Sequence, residues 1–388
     1  MGDPNNHDPN STQFIWNFFM KINFYRSLLS FILIIFSLLF SISVRADQVD
    51  DYIQSEMKKN KIPGLSIAVI KNDKIIKAKG YGLANIELIV PATPDTVYQS
   101  GSTGKQFTAT LVMMLVEKGK IKLDAKVSKY IKGTPKSWEK ITIRHLLTHT
   151  SGLKNYDNYI NPQRDYTDEQ LIKLSESYPL DFEPGEKWKY SNTGYMVLGV
   201  IIKKVSGKFY GDLLHENIFI PLGMKTAGVV DTRKIIPNRA AGYELVNNDL
   251  QNQAYVPPSL SRTADGTLYM TVLDFSKWDA ALYTDKLLKK SDLDLMFTPV
   301  KLNNGKTFSY GFGWFIGDMN GHRLIEHGGE FQGFSSYISR YVDDKLTIII
   351  LSNRAYIADD IGDMAHHIAG LYESALIPTK LIRYMPVN

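Results

Sequence analysis

Four Ser-x-x-Lys pairs occur in the chain: Ser55/Lys58, Ser102/Lys105, Ser137/Lys140 and Ser151/Lys154. Three positions apart on a helix, a serine and a lysine share a face. The amine can then take the hydroxyl proton and leave a serine nucleophile, and a helix N-terminus favours the negative charge that develops. Ser102 has that setting, because it follows a Gly/Ser-rich turn and opens an amphipathic stretch. The bland alternative for Ser102 is a plain N-cap. Ser55 sits among charges on an apparent surface helix, while Ser137 and Ser151 look like helix-boundary residues.

Two further groups carry chemistry. Tyr190-Ser191-Asn192 follows a Glu-Pro-Gly turn and precedes a helical stretch. A tyrosine has an ordinary pKa of about 10, and a lysine beside it in a dry cleft gives it phenolate character. Asn192 has the amide to hold a substrate or the lysine amine. Tyr156-Asp157-Asn158 repeats the pattern, so the tripeptide alone is not specific. His327-Gly328-Gly329 falls between two strand-like runs, where glycine lets a substrate backbone approach a sheet edge; its plain alternative is a Gly-rich turn with a surface histidine. His327 has the ring nitrogens to donate to a carbonyl or carboxylate, or to tune Tyr190.

Other patterns mimic sites. His145 and His149 stand four apart on a predicted helix, a zinc-ligand spacing, but no glutamate lies between them and they read as structural. The adjacent His366 and His367 point apart on the last predicted helix and read as surface. Ser100-Gly101-Ser102-Thr103-Gly104 nearly matches the nucleophile elbow, with Ser100 in place of its first glycine; the ordered Lys, Tyr and His groups fit a different hydrolase better.

The elements that must position these groups follow from periodicity. Leu65–Ile70 and Lys74–Lys79 read as a hairpin around Asn72-Asp73, and Tyr310–Ile316, Phe334–Arg340 and Leu346–Leu351 read as strands, followed by a helix from Asp359 to Tyr372. Thr103–Glu117, Ile143–Thr148, Asp168–Ser177, Gly194–Val205 and Leu273–Tyr283 read as helices. The expected fold is therefore α/β of the α+β type. An antiparallel sheet drawn from residues 47–98 and 306–388 is flanked by helices, with an all-helical domain, 99–305, inserted between them.

The 388 residues are 44% hydrophobic and 22% charged, which excludes a disordered chain. With no cysteine there is no disulfide, thiolate nucleophile or Cys-ligated metal. The net charge of +5, without a run of like charges, marks no nucleic-acid face. Residues 27–44 are an uncharged apolar run preceded by Lys21 and Arg26 and followed by Val-Arg-Ala ending at Ala46. This pattern predicts a secretory signal over residues 1–46, in which Met20-Lys21 makes a tidier start and 1–19 reads as an upstream extension. The expectation is a periplasmic or secreted protein, or an inner-membrane anchored one facing the periplasm if the segment stays uncleaved.

In order along the chain, Ser102-x-x-Lys105, Tyr190-x-Asn192 and His327-x-Gly329 resemble the motifs of the serine β-lactamase and penicillin-recognising superfamily, in its class C-like branch. The resemblance runs over most of residues 48–355. It is supported by Gly104-Lys105-Gln106-Phe107-Thr108-Ala109, by the stretch from Ile143 to Leu153, by 184–199, and by Pro221-Leu222-Gly223-Met224. It implies a β-lactamase/transpeptidase-like fold and a Ser102 acyl-enzyme, with Lys105 and Tyr190 managing protons. It also implies substrate binding by Asn192, His327, Gly328, Gly329 and Glu330, and an oxyanion hole from the backbone N–H groups of Ser102 and Glu330. No cofactor or metal is implied, and the partner is a small-molecule or peptide substrate. D-alanyl-D-alanine carboxypeptidase or related D-peptide hydrolysis is the first expectation, with carboxylesterase and class C-like β-lactamase as alternatives. A slow-turnover penicillin-binding sensor is the alternative of another class. The chain departs from class C β-lactamases in having His327 where they have the lysine of Lys-Thr-Gly. A neutral histidine holds a β-lactam carboxylate less well, and Glu330 beside the oxyanion position disfavours anionic substrates.

Overall fold

The computed structural model describes residues 48–379. The signal segment read over 1–46 lies outside them. The chain divides into two compact units, 1–53 and 54–388. Of the first, residues 48–53 are described, and they are helical.

The second unit is built on one antiparallel sheet. Its strands are β1 (Gly64–Lys71), β2 (Lys74–Asn85), β3 (Val90–Pro91), β4 (Phe315–Met319), β5 (His322–Phe331), β6 (Phe334–Tyr341) and β7 (Leu346–Ser352), in the order β4-β5-β6-β7-β1-β2-β3. The two ends of the chain meet where β1 pairs with β7, Leu65 opposite Ser352 through Lys71 opposite Leu346. These central strands read as nearly continuous apolar runs because they are covered on both faces: β6 and β7 are wholly buried, and β1 is buried apart from Lys71. The helices that matter for the site are α1 (Lys105–Glu117), α2 (Asn192–Ser206), α3 (Val272–Ala281) and α4 (Ala358–Tyr372). α4 packs on β6 and β7, and α3 on β1 and β7. Phe107 of α1 stacks on Trp278 of α3 with ring centroids 4.1 Å apart. α1 is buried from Lys105 to Leu115, which is why it reads as a broad apolar helix.

Several expectations need correction. The run Tyr310–Ile316 is not a strand; β4 starts at Phe315, and Tyr310 makes only an isolated bridge to it. The residues from His327 to Gly329 are not in a turn but inside β5, which its charged residues and paired glycines concealed from a two-residue alternation. The inserted segment is helical but not all helical. Tyr98–Gln99, Leu268–Met270 and Gly228–Val229 form a small sheet, and Tyr243–Val246 with Asp249–Asn252 form a hairpin. Ser102 does not open the α-helix itself, since it lies in the 3-10 turn Gly101–Gly104 ahead of α1. The helix Ile143–Leu147 ends before His149, whose φ is +57°, so His145 and His149 do not share a helical face. His366 is buried rather than on the surface, and its Nε2 lies 2.7 Å from Glu326 Oε2. Among the described residues no helix is long and apolar enough to cross a membrane.

Candidate active site

The Ser102 turn is pressed against β5. Gly101 has φ +51°, and a Cβ there would stand 2.4 Å from Glu330 N; a Cβ on Gly329 would stand 2.8 Å from Ser102 N and 2.3 Å from Ser100 O. Glycine at both positions is what lets the two backbones meet. The turn is stapled to β6 as well, because Ser100 O accepts from Thr103 Oγ1 at 2.9 Å and from Ser336 Oγ at 2.5 Å. β4 pairs with β5 only as far as Glu326, so residues 327–331 present an open strand edge on that side. The backbone N–H groups of Ser102 and Glu330 thus lie in adjoining segments, the arrangement an oxyanion hole requires.

Lys105 is fully buried one turn below Ser102. Its Nζ contacts Ser102 Oγ at 2.9 Å, Asn192 Oδ1 at 2.8 Å and Asp265 O at 2.5 Å. Asn192 Oδ1 and the Asp265 carbonyl can only accept. They fix two N–H bonds of the amine and leave its third position aimed at the serine. Burial lowers the Lys105 pKa to about 8, with Asp265 and Asp157 pulling the other way. About a tenth of the amine is therefore neutral at pH 7, and a neutral amine offers its lone pair to the Ser102 hydroxyl. That is a general base poised for the nucleophile.

Tyr190 corrects one expectation. Its hydroxyl is buried, Lys105 Nζ lies 4.8 Å from its ring centroid, and the ring packs on His149 with centroids 4.2 Å apart. Burial holds its pKa well above 10, and the Ser102 hydroxyl only partly opposes this. Desolvation therefore favours the phenol over the phenolate at Tyr190, with the nearby Asp265 and Asp157 acting in the same direction.

His327 is buried; its ring centroid lies 6.2 Å from that of Tyr190, and its side-chain hydrogen-bond partner is Tyr310. Tyr310 Oη lies 3.1 Å from His327 Nε2 and 3.1 Å from His149 Nε2. The backbone N–H of Ser191 donates to His149 Nδ1 at 3.2 Å, and His327 Nδ1 faces Gly328 O at 2.5 Å. Each end fixes its neighbour: His149 carries its proton on Nε2 and donates to Tyr310, which donates to His327 Nε2, whose Nδ1–H donates to Gly328 O. Burial and the charge of Lys105 keep both rings neutral, His327 with a pKa lowered to about 3 and His149 well below its ordinary value.

Asp157 and Asp265 were not legible as site residues. Asn192 Nδ2 donates to Asp157 Oδ2 at 2.8 Å, and Tyr156 Oη donates to Asp265 Oδ2 at 2.6 Å. The signal was the Tyr156-Asp157-Asn158 repeat, unspecific in the sequence, of which Tyr156 and Asp157 line the site. Burial, with Asp265 nearby, raises the Asp157 pKa. Glu330 lies at the cleft wall, where Ala358 N donates to its Oε1 at 2.9 Å. Its pKa is raised by desolvation, and further by Asp359 and Asp360. The other Ser-x-x-Lys serines lie elsewhere: Ser55 is exposed on a helix, Ser137 is in a 3-10 turn, and Ser151 accepts from Leu153 N at 3.2 Å.

Known proteins resemble the chain in sequence and in fold. The family model described as Beta-lactamase matches residues 49–372. A penicillin-binding protein of Bacillus subtilis (strain 168) is 34% identical over 322 residues, 76% of this chain and 69% of that protein. The octameric penicillin-binding protein homologue from Pyrococcus abyssi superposes with a TM-score of 0.74 at 30% identity, covering 85% of this chain and 77% of that one. The D-amino acid amidase from Ochrobactrum anthropi SV3 superposes with a TM-score of 0.73 at 23% identity, over 84% of this chain and 99% of that one, a likeness of fold.

Proposed function

The chain belongs to the beta-lactamase family, and from that premise we propose an exported serine hydrolase that cleaves amide bonds of D-peptides through an acyl-enzyme on Ser102, in the manner of a D-alanyl-D-alanine carboxypeptidase or a related D-peptide hydrolase. The observation that carries the reading is the Lys105 amine, buried, with its pKa lowered to about 8, and held 2.9 Å from Ser102 Oγ. Neutral Lys105 takes the Ser102 proton as Oγ attacks the carbonyl carbon. The carbonyl oxygen gains negative charge against the N–H groups of Ser102 and Glu330. The Tyr190 phenol stands on the route by which the proton returns to the leaving nitrogen, so the C–N bond breaks with a neutral amine departing. Water then attacks the acyl carbon, gives its proton back through the same groups, and releases the acid and Ser102. The penicillin-binding relatives support a D-peptide, since β-lactams imitate such a substrate. The uncharged run ahead of Ala46 supports export.

The test is intact-mass measurement after exposure to a D-alanyl-D-alanine peptide, a β-lactam and a short-chain ester. An acyl adduct that forms on the native chain, turns over with the peptide, and is absent in Ser102→Ala supports the reading. An adduct that persists with every substrate points to a slow-turnover binding protein. Activity retained by Ser102→Ala overturns the reading.

A further inference from the structure

Two cavities, of about 400 Å³ and about 610 Å³, open beside Ser102 and share Ser102, Asp157, Asn192, Glu330 and Tyr356. Between them they are lined by six carboxylates: Asp157, Glu244, Asp265, Glu330, Asp359 and Asp360. No lysine, arginine or histidine lines either cavity among the described residues. The cation beneath them, Lys105, is buried with its three directions already taken. Arg354, near Asp360, lines neither cavity. Asp265 is 7% exposed; Tyr156 occupies Oδ2, while Oδ1 is buried without a partner at the wall of the smaller cavity.

Aromatic rings stand among these carboxylates. Tyr356 is 70% exposed and has φ +62°. A bulky residue in the left-handed region costs free energy and persists where the surroundings impose it. Glu244, Glu330 and Asp157 line the smaller cavity together with Tyr356. Tyr255, 68% exposed, lines the smaller cavity as well. Carboxylates set around an aromatic face attract an ammonium by charge and by cation–π interaction, and they repel a carboxylate.

We propose that the hydrolysed substrate carries an ammonium group, as a free α-amine or a basic side chain, held by Glu330, Glu244 and Asp157 against Tyr356. This rests on the serine-hydrolase reading and narrows it to a cationic substrate, which favours the related D-peptide hydrolase over the carboxypeptidase, whose substrate ends in a carboxylate.

The experiment compares D-alanine p-nitroanilide with its N-acetyl and N-succinyl derivatives on the full chain, with intact mass reporting the acyl adduct on Ser102. The expected order of kcat/KM is ammonium, then neutral, then anionic. The first step should be about tenfold or more at low ionic strength and shrink in about 0.5 M salt as the charges are screened. Glu244→Gln should lower the ammonium-to-acetyl ratio several-fold, and because the ratio is taken within one preparation, a partly folded variant does not change it. A native ratio of one or less, with adducts forming on Ser102, overturns the charge inference and leaves the hydrolase standing. A ratio unchanged in Glu244→Gln overturns the assignment to that carboxylate. If none of the three forms an adduct or releases p-nitroaniline, the hydrolase reading falls, and the inference with it.

Discussion

Tyr310 Oη stands 3.1 Å from His327 Nε2 and donates its proton there, because its other neighbour, His149 Nε2, can only donate to it. The direction of this chain is set from the backbone, by the N–H of Ser191 at one end and the carbonyl of Gly328 at the other. It ties the loop before α2 to the open edge of β5, and so ties the Tyr190 side of the cleft to the oxyanion side. Tyr310→Phe removes one hydroxyl and strands two buried ring nitrogens. Its expected cost is about 1–3 kcal/mol of stability, measured by urea denaturation. An unchanged midpoint would show that the chain holds nothing.

The pH dependence of acylation separates Lys105 from Tyr190 as the base. Burial lowers the Lys105 pKa to about 8, and the amine acts when deprotonated. The kcat/KM on a neutral ester should therefore rise with pH along a limb centred near 8 and level off above it. Tyr190, with its pKa well above 10, contributes no limb in that range. Tyr190→Phe should lower the rate but keep the limb, whereas Lys105→Met should cost roughly 100-fold or more. Loss of the limb in Tyr190→Phe would transfer the base to the phenol.

Gly101 makes the geometry of the oxyanion region testable. An alanine there must adopt φ +51° and bring its Cβ to 2.4 Å from Glu330 N. The turn and β5 must separate, and the two N–H groups lose their common focus. Gly101→Ala should lower kcat by roughly 100-fold or more while thermal melting still reports a folded protein. Near-native turnover would mean that the hole is built elsewhere.

The parts of this molecule that were legible in the sequence are those whose physics is local. β1 and β7 show as apolar runs because both faces are covered, and Ser102 with Lys105 shows because three positions make one turn. Asp265 and Tyr310 were hidden because their roles depend on contacts far along the chain: Asp265 offers a main-chain carbonyl to Lys105, which any residue can supply, and Tyr310 lies where a strand was expected. β5 was hidden for a related reason, since Gly328 and Gly329 weaken a strand pattern at the place where close backbone approach requires them. His366 read as surface together with His367 because an adjacent pair on a helix turns its rings apart, and only the fold shows that His366 is buried with Glu326 opposite.

That pair gives the last expectation. Glu326 and His366 are both buried and meet at 2.7 Å, joining β5 to α4 directly behind the strand that carries His327. Glu326 Oε1 makes no further bond, so the histidine is the carboxyl group's one side-chain hydrogen-bond partner of standard geometry among the described residues. His366→Ala removes it and leaves an isolated polar group in the core, at an expected cost of about 3 kcal/mol or more. Replacing both residues by apolar ones of similar volume, Glu326→Leu with His366→Leu, should recover much of that loss, because no buried partner is then stranded. Urea denaturation of the two variants decides the matter. If the single variant is as stable as the native chain, the pair is not what fastens β5 to α4.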